Sequence, residues 1–197
     1  MSRYGRDRKV STRRAIVEAA GRRLKLDGID GSGVTTLMHD AGLTNGAFYT
    51  HFSSKDELVT TAIADQLARQ RATLRAVATD RDGVEAFVRF YLSAAHRDDR
   101  SEGCPSAALL DEVARCSVTA RAVYSAGVTA IIDDIAAVLD PNNPTCANGR
   151  AWVLIVSLIG TLQMARAVLD PGLSDAVLEH GIVHAMTLIR SEVGVQG

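Results

Sequence analysis

Tyr49, His51 and Lys55 bring a phenol hydroxyl, an imidazole and an ammonium group together within two helical turns. All three can donate hydrogen bonds on one side, from a short helix and the start of the next, which is the chemistry that holds phosphate oxygens. Just upstream, Asn45, Gly46 and Ala47 give the same segment a small, polar outer face. A helix with such a face fits the major groove of double-stranded DNA.

The surrounding residues predict the elements that would hold these groups in place. Val34, Leu37, Met38 and Ala41 recur at the three-to-four spacing of one helical face, and Gly42 ends that helix by entering a left-handed conformation without steric cost. Thr44 is placed to cap the next helix. Within it only Phe48 and Phe52 are large and apolar, four residues apart, so they point inward and leave Asn45, Gly46, Ala47, Tyr49, Thr50 and His51 outward. Ser54-Lys55-Asp56-Glu57 reads as a capping box that opens a further helix at about Lys55, whose positive N-terminal end faces the same side.

The run from Gly42 to Leu58, Gly-Leu-Thr-x-Gly-x-Phe-Tyr-x-His-Phe-x-Ser-Lys-x-x-Leu, resembles the DNA-binding signature of the TetR family of bacterial transcriptional regulators. The resemblance implies that Thr35, Asn45 and Ala47 face bases and that Tyr49, His51 and Lys55 hold the backbone, with Thr44 and Gly46 also close to DNA. Met38 stands where a small Ala is usual. An all-α fold follows, with a three-helix DNA-binding domain over residues 1–57 and an effector-binding and dimerisation domain over 58–197.

Composition agrees with that class. Aromatic residues make up only 5% of the 197-residue chain, and the later segments read as helices over roughly 83–97, 105–115, 118–139, 147–169 and 173–192, separated by Asp-, Gly- and Pro-containing turns. Net charge is −1, yet Arg3, Arg6, Arg8, Lys9, Arg13, Arg14, Arg22, Arg23 and Lys25 crowd the first segment against only Asp7 and Glu18. A disordered arm carrying Arg3, Arg6, Arg8 and Lys9 would lie along phosphates or in a minor groove, or else be a frayed terminus. It leads into a first helix over about 12–26 that Gly28 stops. No signal peptide is visible and the longest apolar run, Ala151 to Leu162, is too short to span a bilayer, so a cytoplasmic location without membrane contact is expected.

The helix around Trp152 is apolar on nearly every side, and the one bearing Val177, Leu178, Ile182, Ala185, Met186 and Ile189 offers a second apolar face. A leftover apolar face wants a partner, and the family pairs its last two helices in a four-helix dimer interface over a palindromic operator. By the same resemblance Phe87, Phe90, Tyr91, Leu109, Tyr124 and Trp152 lie on helices that enclose a small-molecule effector; individually each is equally a core residue. Pro105 suits the first position of a helix and puts Cys104 beside its positive end, a setting that lowers a thiol pKa and resembles the oxidant- or electrophile-sensing members. The alternative is a small buried thiol. His180 and His184 are one turn apart without a third ligand at suitable spacing, so no metal or cofactor is expected. There is no phosphate loop, nucleophile elbow or zinc-hydrolase spacing to suggest an enzyme. A DNA-binding protein without effector is the remaining alternative.

Overall fold

The computed structural model describes residues 3–191, with side chains from residue 7 onward, and all of its regular elements are helical. α1 spans Arg3–Gly31 and α2 Val34–Asp40; a 3-10 turn at Asn45–Ala47 then runs directly into α3, Phe48–His51. There follow α4 (Lys55–Val77), α5 (Arg81–Tyr91), α6 (Ala94–Asp98), α7 (Pro105–Val113), α8 (Val118–Leu139), α9 (Pro144–Ala167) and α10 (Pro171–Arg190). The expected all-α class is the one observed.

Contacts divide the chain into two compact units. One consists of Met1–Ala68 with Cys104–Ala126, the other of Arg69–Gly103 with Gly127–Gly197. In the first, Ile16, Ala20 and Leu24 of α1 meet a core completed by Leu37, Met38, Phe48, Phe52, Leu58 and Ala62, each at most 2% exposed. Met38 is wholly buried, so the larger side chain fills core volume rather than facing DNA. α7 packs on α1 within this unit.

In the second unit α5 buries Val84, Phe87, Val88 and Tyr91 at helical spacing, and Asp80 caps it by accepting from Gly83 N at 2.8 Å. α9 and α10 lie against each other, and α10 also packs on α5. Arg190 forks onto Glu85 at 2.7 and 2.8 Å, and Arg71 onto Asp134 at 2.6 and 2.9 Å.

Several expectations are corrected. The N-terminal arm is not disordered: α1 begins at Arg3, because Arg and Lys are good helix formers and no Gly or Pro interrupts the chain between Gly5 and Gly21. The side chains of Arg3 and Arg6 lie outside the described residues. Gly28 breaks α1 with φ +80°, but one more helical turn follows it to Gly31. The helix expected over 83–97 is two helices, since Ser93 leaves the helical region and caps α6 by accepting from His96 N at 3.1 Å. Pro144 and Pro171 sit inside the first turns of α9 and α10 rather than in the preceding loops, where a missing N–H costs nothing.

α8 and α9 are also long and apolar enough to cross a bilayer by length and composition, with mean hydropathies of 1.6 and 1.3. Counting unbroken apolar runs missed this, because isolated Gly, Ser and Thr interrupt a run without lowering the helix average much. Both helices contribute to packed cores, through Ile131, Ile132 and Ile135 in α8 and Leu154, Ile155, Leu158 and Leu162 in α9.

Candidate nucleic-acid interface

α3 is only four residues long, too short to be stable alone, and owes its position to two buried rings. Phe48 and Phe52 stack at 5.9 Å, and the edge-to-face contact of Phe48 with Tyr49 at 5.1 Å steers the tyrosine outward, where it is 77% exposed. Phe52 is extended at φ −138°, which ends the helix. Arg13 of α1 lies 4.1 Å above the Phe52 ring and donates to Glu57 Oε1 at 3.0 Å, tying α1 to the start of α4.

The capping box forms, with a shift of one residue on its return arm. Glu57 N donates to Ser54 Oγ at 3.1 Å as expected, but Glu57 Oε2 accepts from Ser53, from both its N and its Oγ at 2.8 Å. These bonds, the Ser53 N–H first, hold the Glu57 carboxyl below its ordinary range.

Thr35 and Asn45, expected to face bases, are brought together: Asn45 Nδ2 donates to Thr35 Oγ1 at 2.8 Å. With Leu43 N donating to Met38 O at 2.9 Å across the left-handed Gly42, α2 and the turn before α3 are joined at two points. Thr44, Asn45 and Gly46 are exposed, and Ala47 is half-buried beside them. A Cβ added at Gly46 would meet nothing within 4 Å. Packing within the chain therefore does not require glycine there, and the space in front of the backbone is open.

His51 is half-buried, and burial, then the positive charge of Lys9 and Arg13, pushes its imidazole below the ordinary value. The ring is neutral near pH 7. Its Nδ1 is buried without a hydrogen-bond partner, so Nε2 is the nitrogen placed to donate. Lys55 is engaged inside the unit, its Nζ donating to Ile29 O at 2.6 Å. An ammonium has three donors, so two remain after this bond.

The residues expected around an effector fall into both units. Phe87, Phe90, Tyr91 and Trp152 belong to one, and Cys104, Leu109 and Tyr124 to the other. Phe87 and Tyr91 are buried with rings 5.8 Å apart, and His96 meets Tyr91 edge-on at 4.8 Å. Phe90 and Trp152 are 60% and 40% exposed in the single chain; Phe90 stacks on His96 on the outer side of α5. Cys104 and Leu109 are buried, and Tyr124 Oη donates to the buried Ser106 Oγ at 2.9 Å, with burial raising the phenol pKa. An open cleft of about 340 Å³ in the second unit involves other residues, among them Arg97, Arg166, Leu169 and Ser174. Sequence reasoning missed it, because Arg97 and Arg166 are far apart in the chain and match no motif.

Residues 16–62 match the family described as bacterial regulatory proteins, tetR family. Among solved structures the chain is similar to a TetR transcriptional regulator from Chloroflexus aurantiacus J-10-fl, with a TM-score of 0.78 and 22% identity over 95% of this chain and 98% of that one. It is similar also to the reduced form of NemR from E. coli, with a TM-score of 0.77 and 20% identity over 89% of this chain and 95% of that one. The fatty acid degradation regulator FadR from Bacillus halodurans gives a TM-score of 0.65 and 14% identity over 94% and 96%. Comparison with the curated proteins gives no match. At these identities the solved structures speak to the fold.

Proposed function

We propose, for a chain that belongs to the tetR family of bacterial transcriptional regulators, a homodimeric repressor that binds a palindromic operator and is released by a small, mostly apolar effector. It is a DNA-binding regulator and not an enzyme. The observation that carries the reading is the surface of the 3-10 turn and α3. Exposed Asn45, Gly46, Tyr49 and Thr50 stand on the buried Phe48–Phe52 pair, with open space before Gly46. In this reading Tyr49, His51 and Lys55 contact phosphates, Thr44 and Gly46 lie close to the backbone, and Thr35, Asn45 and Ala47 face base edges. Work on DNA sets the protein in the cytoplasm.

Dimerisation is supported by the exposed faces of the last two helices. Val153, Val156 and Met164 of α9 are half or more exposed, with Trp152 beside them, and Leu173 and Val183 of α10 are likewise open. Gly160 lies between Val156 and Met164 at helical spacing with nothing near its Cβ position, so another helix can approach closely. A two-fold pairing of such faces presents two reading helices to two half-sites.

For the effector, the support is the buried pair Phe87 and Tyr91 of α5, mostly apolar groups with one hydroxyl of the kind small-molecule sites use. Thiol sensing through Cys104 is the weaker reading. Pro105 does begin α7 and Cys104 does stand at its N-cap position, without a side-chain capping bond, but the residue is 4% exposed and out of reach of a reagent in solution. α4 starts at Lys55, directly after α3, so an effector that prefers a rotated α4 carries the reading helices out of register. A coupling of about 2–3 kcal/mol weakens operator binding roughly thirty- to a hundredfold. The test is selection of duplexes from a random pool by the purified chain. An inverted repeat with half-sites about one helical turn apart is expected; a pool without enrichment would sink the proposal.

A further inference from the structure

The turn between α1 and α2 is closed by a residue from the far end of α7. Gly28 has φ +80° and ψ 171°, a conformation open essentially to glycine alone, and it aims the next two N–H groups at one point. Glu112 occupies that point: Ile29 N and Asp30 N both donate to its Oε2, at 2.5 and 3.2 Å. A Cβ on Gly28 would stand 2.5 Å from Glu112 Oε1, so glycine supplies the room as well as the angle. On its other side the same residue is held by Lys55, whose Nζ takes the Ile29 carbonyl at 2.6 Å. Ile29 is thus gripped from α7 through its N–H and from the first residue of α4 through its C=O. Ser117, just ahead of α8, adds a parallel tie by donating to Asp56 Oδ2 at 3.0 Å.

We infer that Glu112 couples α7 to the DNA-reading helices, making the α1–α2 turn a second route of regulation beside α4. The chain of contacts from that turn is short and stiff. α2 begins at Val34, and its Thr35 accepts from Asn45 while Met38 O accepts from Leu43 N, so a shift of the turn reaches the base-facing residues without passing through a flexible segment. A carboxylate suits the task because charge-assisted bonds to two N–H groups are strong and directional, and are lost together when α7 moves away. The inference rests on DNA recognition by α2, the 3-10 turn and α3.

Reciprocity supplies the test: if α7 biases DNA reading, bound DNA must stabilise α7. The experiment follows amide hydrogen exchange across residues 105–113, with and without the operator duplex obtained by selection, in the full-length wild type and in Glu112→Gln. In the wild type the duplex should slow exchange in α7 on the order of fivefold or more. In Glu112→Gln that slowing should fall to nearly nothing, while Ile29 and Asp30 exchange about tenfold faster even without DNA. A purely structural Glu112 would lower stability yet leave the duplex-induced slowing intact, and that result overturns the inference. So does a wild type whose α7 ignores the duplex, a measurement that needs no variant to fold. A wild type that retains no duplex at all removes the DNA-reading proposal itself, and is distinguished by the binding step.

Discussion

Replacing Gly28 by alanine tests the α1–α2 turn most directly. At φ +80° and ψ 171° an L-residue is strained by about 1–3 kcal/mol. The new methyl would also lie 2.5 Å from Glu112 Oε1. The carboxylate is the end of a flexible side chain and can retreat, but only by lengthening its bonds to Ile29 N and Asp30 N. Hydrogen bonds to a charged group contribute about 1.5–3 kcal/mol, and the exposure of Asp30 favours the lower figure. Together these put Gly28→Ala at about 3–5 kcal/mol, against a total stability of order 5–15 kcal/mol. With a urea slope of about 2 kcal/mol per molar, the midpoint of the first transition, read by circular dichroism, should fall by about 2 M. Glu112→Ala in the same background provides the decisive comparison. Once the carboxylate is gone the methyl has nothing to displace, so the double variant should lose about 1–2 kcal/mol less than the two single losses combined. A Gly28→Ala cost under about 1 kcal/mol, or an additive cycle, would refute the reasoning.

Other outcomes follow from the same geometry. Tyr49→Phe should weaken binding to every duplex by a similar factor, whereas Thr35→Val, which releases Asn45, should change base preference; competition binding with point-mutated operators separates the two. His51 has a folded pKa below its unfolded value of about 6.5, so its contribution is fully present above that pH and is lost as pH falls from there through the folded pKa; His51→Gln should flatten the drop in urea midpoint between pH 7 and pH 5. Cys146 is exposed while Cys104 is buried, so N-ethylmaleimide with mass-spectrometric mapping should label Cys146 first and Cys104 only on unfolding. Rapid labelling of Cys104 would revive thiol sensing. Val156→Asp, on the exposed face of α9, should shift sedimentation from dimer to monomer with little change in helix content.

How far the sequence could be read depended on the range of the forces involved. Phe48 and Phe52 announced their inward face because their four-residue spacing needs no tertiary context, and Gly42 announced its left-handed turn because few other residues tolerate one. The N-terminus was misjudged because charge density was read as disorder, although a run of Arg and Lys is compatible with a helix packed through Ile16, Ala20 and Leu24. Ser53 in place of Ser54 on the return arm of the capping box is a matter of one rotamer of Glu57, which spacing cannot resolve.

The helical class and the tetR-type reading motif were determined by sequence alone, since each rests on side chains within a few turns of one another. Only the tertiary structure decided what those side chains are already doing. Lys55 spends one donor on Ile29, Arg13 is held between Phe52 and Glu57, and Glu112, more than eighty residues beyond the turn it closes, belongs to the reading domain. The physical reason is that a hydrogen bond depends on position to within a few tenths of an ångström, and between distant segments that position is set by the packing of the whole core.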